Sequence, residues 1–280
     1  MINDTKLVFF GTPDLAVYAL AKMQELGTVP DVIVTAPPAP AGRGRKLTEP
    51  DVKLWADANN IPTLQPTKID ADFVNQLKEV ATPNSIFAVF AFGKILPKQV
   101  LDIPTYGTLN IHPSLLPKLR GPSPIRTAIL KDMHDELGVS IILLDEKMDH
   151  GPILMQEKVV INNWPIPGRE LDKLLSEKGG EMLAKTINEQ IAGTITPTPQ
   201  EHSQATFSKF FNKADAKINL SDDPYTNYLK ICAYDGWPGA FFFKDGKRIK
   251  ITKAHLSKGE LVIDKVIPEG KKEMDYTQSE

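Results

Sequence analysis

The feature that most limits the fold is the alternation of short β-rich runs with segments of helical periodicity in the first half of the chain. Residues 7–10 and 32–35 are rich in strand-forming side chains, and the apolar residues between them recur at helical spacing. These apolar residues are Leu15, Ala16, Ala19, Leu20 and Met23. Residues 85–91 form an apolar run typical of a strand buried on both faces. The alternation predicts an α/β fold with a doubly wound, mostly parallel sheet of Rossmann-like type.

The pattern continues toward the middle of the chain. Residues 108–111, 138–144 and 153–161 are predicted strands, and residues 168–192 carry the apolar spacing of a helix. A segment rich in Pro, Thr and Gln follows and indicates a linker. We therefore predict one large domain over residues 1–205, including this linker.

Turn signals dominate the rest of the chain. Asp-Gly and Pro-Gly pairs separate short β-rich runs within residues 206–280. This arrangement predicts a second, smaller, mostly β domain over residues 206–280.

Composition excludes several classes of protein. Hydrophobic residues make up 41% of the chain and charged residues 24%, which suits a soluble protein with a real core. No apolar run approaches the roughly 18 residues of a membrane helix, and no signal peptide is evident, so we expect a cytoplasmic protein without a membrane partner. The net charge of −2 means that any nucleic-acid binding must come from local patches. Cys232 is the only cysteine, and we expect it to be a small core residue rather than part of a metal site.

Residues 110–124 carry the strongest chemical signal. Asn110 and His112 are two residues apart, so both leave the same face if the preceding strand continues through them. An amide beside an imidazole suits a developing oxyanion. Asp149, in the turn KMDHG, is the best candidate to orient the imidazole. The first turn, FFGTPD, lacks G-x-G-x-x-G, and we do not predict NAD.

The other four histidines have no comparable pattern. His134, His202 and His255 are expected to be surface groups, and His150 adjoins Asp149 without a motif role.

Six segments of the chain resemble the methionyl-tRNA formyltransferases, within the wider family that transfers a formyl group from 10-formyltetrahydrofolate. The segments are FFGTPDLAVYAL, PAGRGRKLTEPDVK, AFGKILPKQVL, NIHPSLLPKLRGPSPI, LDEKMDHGPIL and YDGWPGAF. The resemblance implies a formyl-group transferase with a Rossmann-like domain and a C-terminal OB-like β-barrel that contacts tRNA. The segment after His255 is shorter than the family usually has, so we expect a reduced barrel.

The resemblance also implies the site residues. Asn110, His112 and Asp149 form the expected catalytic trio, and four residues are expected to form part of the folate-binding wall. These are Ser114, Leu115, Leu116 and Pro117. Because the formyl group arrives already activated on 10-formyltetrahydrofolate, no metal is expected, and tetrahydrofolate is released.

The acceptor is inferred mainly from PAGRGRKL. Its glycines allow close backbone approach, and Arg43, Arg45 and Lys46 can pair with phosphates, which fits an RNA acceptor end. Ala39 stands where the family often has a basic residue ahead of this loop. The match favours initiator methionyl-tRNA as the partner of a monomeric enzyme of translation initiation.

Two alternatives stay open at this point. A formyltransferase acting on a nucleotide-linked amino sugar would use the same trio without needing the basic loop. A tRNA-binding protein that no longer catalyses would fit the reduced C-terminal region, although the intact trio argues against it.

Overall fold

The computed structural model describes residues 5–41, 44–82 and 84–276, which form two compact units. One unit contains the described residues up to Arg120 together with Gly138–Lys158 and Lys173–Thr206. The other contains Gly121–Leu137, Val159–Asp172 and the described residues from Phe207 onward. The second unit thus draws two segments from earlier in the chain, and the division into domains at residue 206 stays a prediction.

The first unit is built on a seven-stranded sheet. In chain order, the strands of this unit are β1 (Lys6–Phe10), β2 (Val32–Val34), β3 (Ala39–Ala41), β4 (Lys46–Thr48), β5 (Thr63–Leu64), β6 (Ser85–Val89), β7 (Thr108–His112), β8 (Gly138–Leu143) and β9 (Ile153–Lys158). Strands β3 and β4 pair only with each other, as a separate hairpin. The order across the sheet is β5-β2-β1-β6-β7-β8-β9. Its first five strands are parallel, whereas β8 and β9 are antiparallel to their neighbours. The predicted mostly parallel sheet is confirmed.

Seven α-helices occur among the described residues. They are α1 (Asp14–Glu25), α2 (Asp51–Ala58), α3 (Ala71–Val80), α4 (Lys98–Leu101), α5 (Pro124–Leu130), α6 (Gly168–Ile191) and α7 (Pro224–Ala233). Two short 3-10 helices cover His134–Glu136 and His202–Gln204. The apolar face predicted for α1 is buried at Ala16, Ala19, Leu20 and Met23, because residues at this spacing share one side of a helix. Hydropathy gives none of the helices in the described part of the chain the character of a membrane span.

The sheet brings the carboxyl ends of its parallel strands to one edge. All five residues of β6 are buried, as expected for a strand covered on both faces. Strand β1 lies between β2 and β6, so successive crossovers leave it in opposite directions. Ligands of open α/β sheets bind in the crevice at such a switch point, beyond the carboxyl ends of the strands. Asn110 and His112 occupy the carboxyl end of the next strand, β7.

The second unit contains a four-stranded antiparallel sheet. Its strands are β10 (Phe241–Lys244), β11 (Lys247–Ser257), β12 (Glu260–Pro268) and β13 (Met274–Asp275), paired in that order. The two-residue turn Asp245-Gly246 joins β10 to β11 with positive φ at both positions, which matches the right-handed twist of a hairpin. A small core of Ile218, Phe242, Ile251 and neighbouring apolar residues covers one face.

The predicted β domain is confirmed, but its barrel is not closed in the described residues. The strand order leaves β10 and β13 at opposite edges of the sheet. Strand β13 has only two residues, and it can therefore pair with β12 over a short stretch only.

Candidate active site

The end of β7 presents an amide and an imidazole on one face of the sheet. Asn110 pairs in register with Ile142 of β8, and His112 pairs with Ser140. Because strand side chains alternate between faces, Asn110 and His112 leave the same face, as the sequence predicts. Asn110 is half-buried, and its side chain makes no hydrogen bond to another described residue. Its amide is therefore available to a ligand.

His112 is 4% exposed and lies between two acceptors. Its Nε2 is 2.9 Å from the carbonyl oxygen of Leu119, and its Nδ1 is 3.6 Å from Oδ1 of Asp149. A carbonyl oxygen only accepts, so Nε2 carries a proton and donates it there. The second nitrogen faces the carboxylate, at a distance of an ion pair rather than of a tight hydrogen bond. The structure thus brings His112 and Asp149 together, as the sequence predicts.

Asp149 is carried by the acidic turn, residues 145–151, which joins the ends of β8 and β9. Asp149 itself has φ of +50°, a left-handed conformation that Asp tolerates better than most residues. Within the turn, Asp145 accepts hydrogen bonds from the backbone N–H of Lys147 at 2.9 Å and from Nδ1 of His150 at 2.7 Å. A Cβ at Gly151 would lie 1.8 Å from the carbonyl oxygen of Leu143. The turn therefore needs glycine at this position.

Sequence reasoning misses a buried residue that touches this turn, Gln200, and the buried residue that supports it, Arg120. Gln200 donates to backbone carbonyls of the turn and accepts from Arg120, and the two side chains are 6% and 5% exposed. Gln200 lies in the segment predicted to be a linker, where a single glutamine carries no recognisable signal. Arg120 lies in the segment NIHPSLLPKLRGPSPI, but nothing in the sequence marks it as a partner of residue 200.

The residues predicted for the folate wall form a turn directly after His112. Ser114 and Leu116 are buried, while Leu115 and Pro117 are partly exposed. The Ser140 hydroxyl donates to the carbonyl of Ser114 at 2.7 Å and accepts from the N–H of Leu116 at 3.1 Å. Gln156 donates to the carbonyl of Leu116 at 2.9 Å. Ser140 and Gln156 thus hold the backbone of this turn in place. No motif in the sequence marks either residue.

The segment AFGKILP follows β6 and mixes buried with exposed apolar residues. Phe92 and Leu96 are in the core of the first unit, whereas Ile95 is 78% exposed. Lys94 donates to the backbone carbonyls of Pro66 and Thr67 at 2.7 and 3.0 Å, which ties two loops together at this edge of the sheet.

Two of the residues predicted to bind tRNA, Arg45 and Lys46, lie on the basic hairpin, whose described residues are 39–41 and 44–48 and which contains β3 and β4. Arg45 and Lys46 are exposed, and neither forms an ion pair with another described residue. Arg45 has φ of +51° and follows Gly44 at +102°, so the chain reverses sharply between the two strands. Arg43 lies outside the described residues.

Two further residues, Cys232 and His202, have shifted pKa values. Burial raises the pKa of the Cys232 thiol to about 11, which keeps this cysteine protonated and unreactive, and the residue is buried as predicted. Loss of hydration, followed by the positive charges of His150, Arg120 and Lys147, lowers the pKa of His202 below its usual 6.5. His202 is exposed, as predicted, but its ring stacks on that of His150 with 3.9 Å between centroids.

Comparison with known proteins defines the class. Residues 5–187 match the formyl transferase family, and residues 211–260 match the formyl transferase C-terminal domain. A methionyl-tRNA formyltransferase from Chloroflexus aurantiacus is 40% identical over 255 residues, covering 91% of this chain and 81% of the relative. One from Desulfotalea psychrophila is 36% identical over 96% of this chain and 90% of the relative. The chain belongs to the formyl transferase family, and within it to the methionyl-tRNA formyltransferases.

Solved structures show the same fold. A methionyl-tRNA formyltransferase from Clostridium thermocellum has a TM-score of 0.64 at 16% identity and covers 94% of this chain and 98% of its own. The sugar 3N-formyl transferase WlaRD has a TM-score of 0.64 at 21% identity, covering 91% and 87%. HypX from Aquifex aeolicus in complex with tetrahydrofolic acid has a TM-score of 0.65 at 15% identity, covering 96% and 46%.

One alignment shows that a relative has residues which this chain lacks. The match to the Desulfotalea protein extends over 296 positions, more than the 280 residues of this chain. That relative therefore carries residues that have no counterpart here.

Proposed function

We propose that this chain transfers the formyl group of 10-formyltetrahydrofolate to the α-amine of methionine on initiator methionyl-tRNA. The observation that carries the proposal is the pairing of His112 with Asp149 beside the uncommitted amide of Asn110, in a chain whose 40% identical relative is a methionyl-tRNA formyltransferase. The HypX structure with tetrahydrofolic acid supports a reduced folate as the donor.

The proposed chemistry needs an oxyanion stabiliser and a route for one proton. The amine nitrogen attacks the formyl carbon, and the electron pair of the carbonyl moves to its oxygen. Asn110 donates a hydrogen bond to this oxygen and the His112 imidazolium stabilises its negative charge, while Asp149 orients the imidazole and stabilises its charged form. Collapse of the intermediate breaks the carbon–N10 bond, the amine gives up a proton and N10 gains one. Formylated methionyl-tRNA and tetrahydrofolate result.

The donor is proposed to lie between two segments of the first unit. Ser114, Leu115, Leu116 and Pro117 would form one wall, and the exposed Ile95 with its neighbours would provide an apolar surface for the flat pterin ring. The bonds from Ser140 and Gln156 support a fixed wall, because they tie the backbone on both sides of Leu115.

The acceptor is proposed to contact both the basic hairpin and the C-terminal β domain over residues 206–280. Arg43, Arg45 and Lys46 would pair with phosphates near the acceptor end. On the C-terminal sheet, the guanidinium of Arg248 lies 4.0 Å from the ring centre of Phe241, and Lys217 lies 5.5 Å from that of Phe243. Cations beside aromatic rings are suited to single-stranded RNA, which offers both phosphates and unstacked bases.

The first experiment measures formyl transfer from 10-formyltetrahydrofolate to charged initiator methionyl-tRNA, with a nucleotide-linked amino sugar as a competing acceptor. We expect transfer to the tRNA only, and a fall in kcat of on the order of 100 to 1,000-fold in Asn110→Ala, as for other oxyanion donors. Transfer to the sugar alone would make the chain a sugar formyltransferase. Binding of tRNA without transfer to either acceptor would favour the inactive tRNA-binding protein.

The proposal includes a monomeric enzyme in the cytoplasm, where initiator tRNA is charged and used. Light scattering of the purified protein at assay concentration should give the mass of one 31.0 kDa chain. A dimer mass would overturn this part alone.

A further inference from the structure

The side-chain amide of Gln200 holds the acidic turn from outside. Both hydrogens of Gln200 Nε2 are used, one on the carbonyl oxygen of Asp149 at 2.9 Å and one on that of Gly151 at 2.6 Å. These two carbonyls belong to Asp149 itself and to the second residue after it. The amide therefore fixes the main chain at the residue whose carboxylate faces His112.

Gln200 is in turn fixed by Arg120. Its Oε1 accepts from Nε and Nη2 of Arg120 at 3.2 and 2.6 Å, and Nη2 also donates to Nδ1 of His202 at 2.8 Å. Arg120 is anchored through its backbone N–H, which donates to the carbonyl of Thr206 at 2.9 Å. Antiparallel bonds between Ile153 and Thr198, both 2.8 Å, bring this part of the chain beside the start of β9.

Together these contacts form a closed series that begins and ends at the imidazole of His112. His112 donates to the carbonyl of Leu119, and the next residue, Arg120, holds Gln200. Gln200 holds the backbone of Asp149, whose carboxylate faces the other nitrogen of His112. The two groups that orient His112 are thus tied to each other through the Arg120–Gln200 pair.

We propose that Gln200 is a positioning residue for the formyl transfer, with Arg120 as its support. The inference rests on the proposed function, because it takes Asp149 and His112 as the pair that acts on the substrate. Only an amide fits here, since the position needs two donors toward carbonyl oxygens and an acceptor toward a guanidinium on one planar group. Displacing a catalytic group by about 1 Å can reduce turnover by on the order of 100-fold.

Gln200→Glu separates the donor role of this side chain, toward the turn, from its acceptor role, toward Arg120. The carboxylate keeps an acceptor for Arg120 but has no hydrogen for the two carbonyl oxygens. The turn therefore loses both hydrogen bonds from residue 200, while the shape of the side chain stays the same. Gln200→Met removes the donors without introducing a charge, and it serves if the Glu variant does not fold. Gln190→Glu is the matched control, because the Gln190 amide donates to the carbonyl of Tyr106 at 3.1 Å elsewhere in the same unit.

Two measurements test the proposal. In steady-state kinetics, we expect kcat to fall about 10 to 100-fold in the Gln200 variants, with KM for methionyl-tRNA changing less than about threefold. In NMR spectra of protein labelled with ¹⁵N-histidine, we expect the ring resonances of His112 to move toward those of Asp149→Asn. Both readouts should stay as in the wild type in Gln190→Glu, even if both Glu variants lose similar thermal stability.

The outcomes distinguish this proposal from the function on which it rests. A folded Gln200 variant with wild-type kcat and wild-type His112 resonances overturns the positioning role. If the wild-type protein formylates no methionyl-tRNA, the proposed function fails, but movement of the His112 resonances still supports the geometric link and their constancy still refutes it.

Discussion

The candidate active site and the basic hairpin hold their side chains in opposite ways. His112, Arg120 and Gln200 are at most 6% exposed, and each is hydrogen-bonded within the protein, His112 to Leu119 and Arg120 to Gln200, 80 residues later. On the hairpin, Arg45 and Lys46 are exposed, and the neighbouring Leu47 is 66% exposed. Bond-making chemistry requires fixed distances, so its groups are locked before substrate binds. Phosphate recognition tolerates an exposed strand, because a charge can act over several ångströms.

The largest effect is expected at the centre of the fixed region. Asp149→Asn keeps the shape of the side chain but removes the charge that faces His112. By analogy with other histidine–carboxylate pairs, we expect kcat to fall by on the order of 10,000-fold, as measured in single-turnover formyl transfer. Asp102→Asn, which removes an exposed partner of Lys98, is the control and should retain wild-type turnover. If Asp149→Asn kept a tenth of normal activity, the candidate active site would be less rigid than its comparison with the basic hairpin requires.

The next effect concerns the backbone of the acidic turn. Gly151→Ala would place a methyl group 1.8 Å from the carbonyl oxygen of Leu143, so the turn must move. We expect the free energy of unfolding to fall by about 2 to 4 kcal/mol and kcat to fall strongly, measured by urea denaturation and kinetics. Gly193→Ala has positive φ but open space around it, and it should lose only about 1 to 2 kcal/mol and keep its kcat. Equal effects of the two substitutions would contradict the close approach at Gly151.

A smaller effect, of a different kind, is expected on the basic hairpin. The double variant Arg45→Glu with Lys46→Glu should raise KM for methionyl-tRNA about tenfold and leave kcat at saturating tRNA within about threefold. The log–log dependence of tRNA binding on salt should also become shallower, by about 0.7 to 0.9 for each phosphate that the variant no longer neutralises. Lys78→Glu, on the exposed side of α3, reverses a charge without these effects. A fall in kcat with unchanged KM would mean that the hairpin belongs to the fixed region.

The smallest effect is a pH dependence at His202, an exposed residue whose ring accepts a hydrogen bond from the buried Arg120. The pKa of His202 is lowered in the folded protein, so the folded state binds its proton less readily than the unfolded state does. The stability that His202 contributes is therefore complete above about pH 6.5 and is lost as the pH falls through its folded value. In urea titrations between pH 7 and pH 5, the wild type should lose stability relative to His202→Gln, which can still accept from Arg120. A wild type that gains stability relative to His202→Gln as the pH falls would contradict the assignment.

The contrast also explains what the sequence can predict. The buried strand β6 is evident because both of its faces are apolar, and Asn110 with His112 follows from the two-residue period of a strand. Asp149 is a candidate because two strands return its turn to the same edge. These features repeat at short range, and short-range patterns determine local structure.

The roles of Gln200 and Arg120 cannot be predicted in the same way. Their contact joins positions 80 residues apart, and it depends on the pairing of Ile153 with Thr198 rather than on any local period. The hairpin poses a related difficulty. The sequence of PAGRGRKL is typical of a loop, yet Ala39–Ala41 and Lys46–Thr48 pair as two three-residue strands. Strands this short leave too few residues for an alternating pattern.

The long sequence separation within the site has a consequence for its synthesis. Leu119, whose carbonyl oxygen accepts a hydrogen bond from His112, donates its own N–H to the hydroxyl of Thr206, 87 residues later. Strands β1 to β9 are complete by Lys158, so a nascent chain can assemble its seven-stranded sheet before Gln200 and Thr206 have been synthesised. Closing so long a loop comes late in folding, because its entropy must be overcome before the contact forms. The contacts around His112 and Asp149 are therefore completed only after the segment that carries Gln200 and Thr206 has left the exit tunnel of the ribosome.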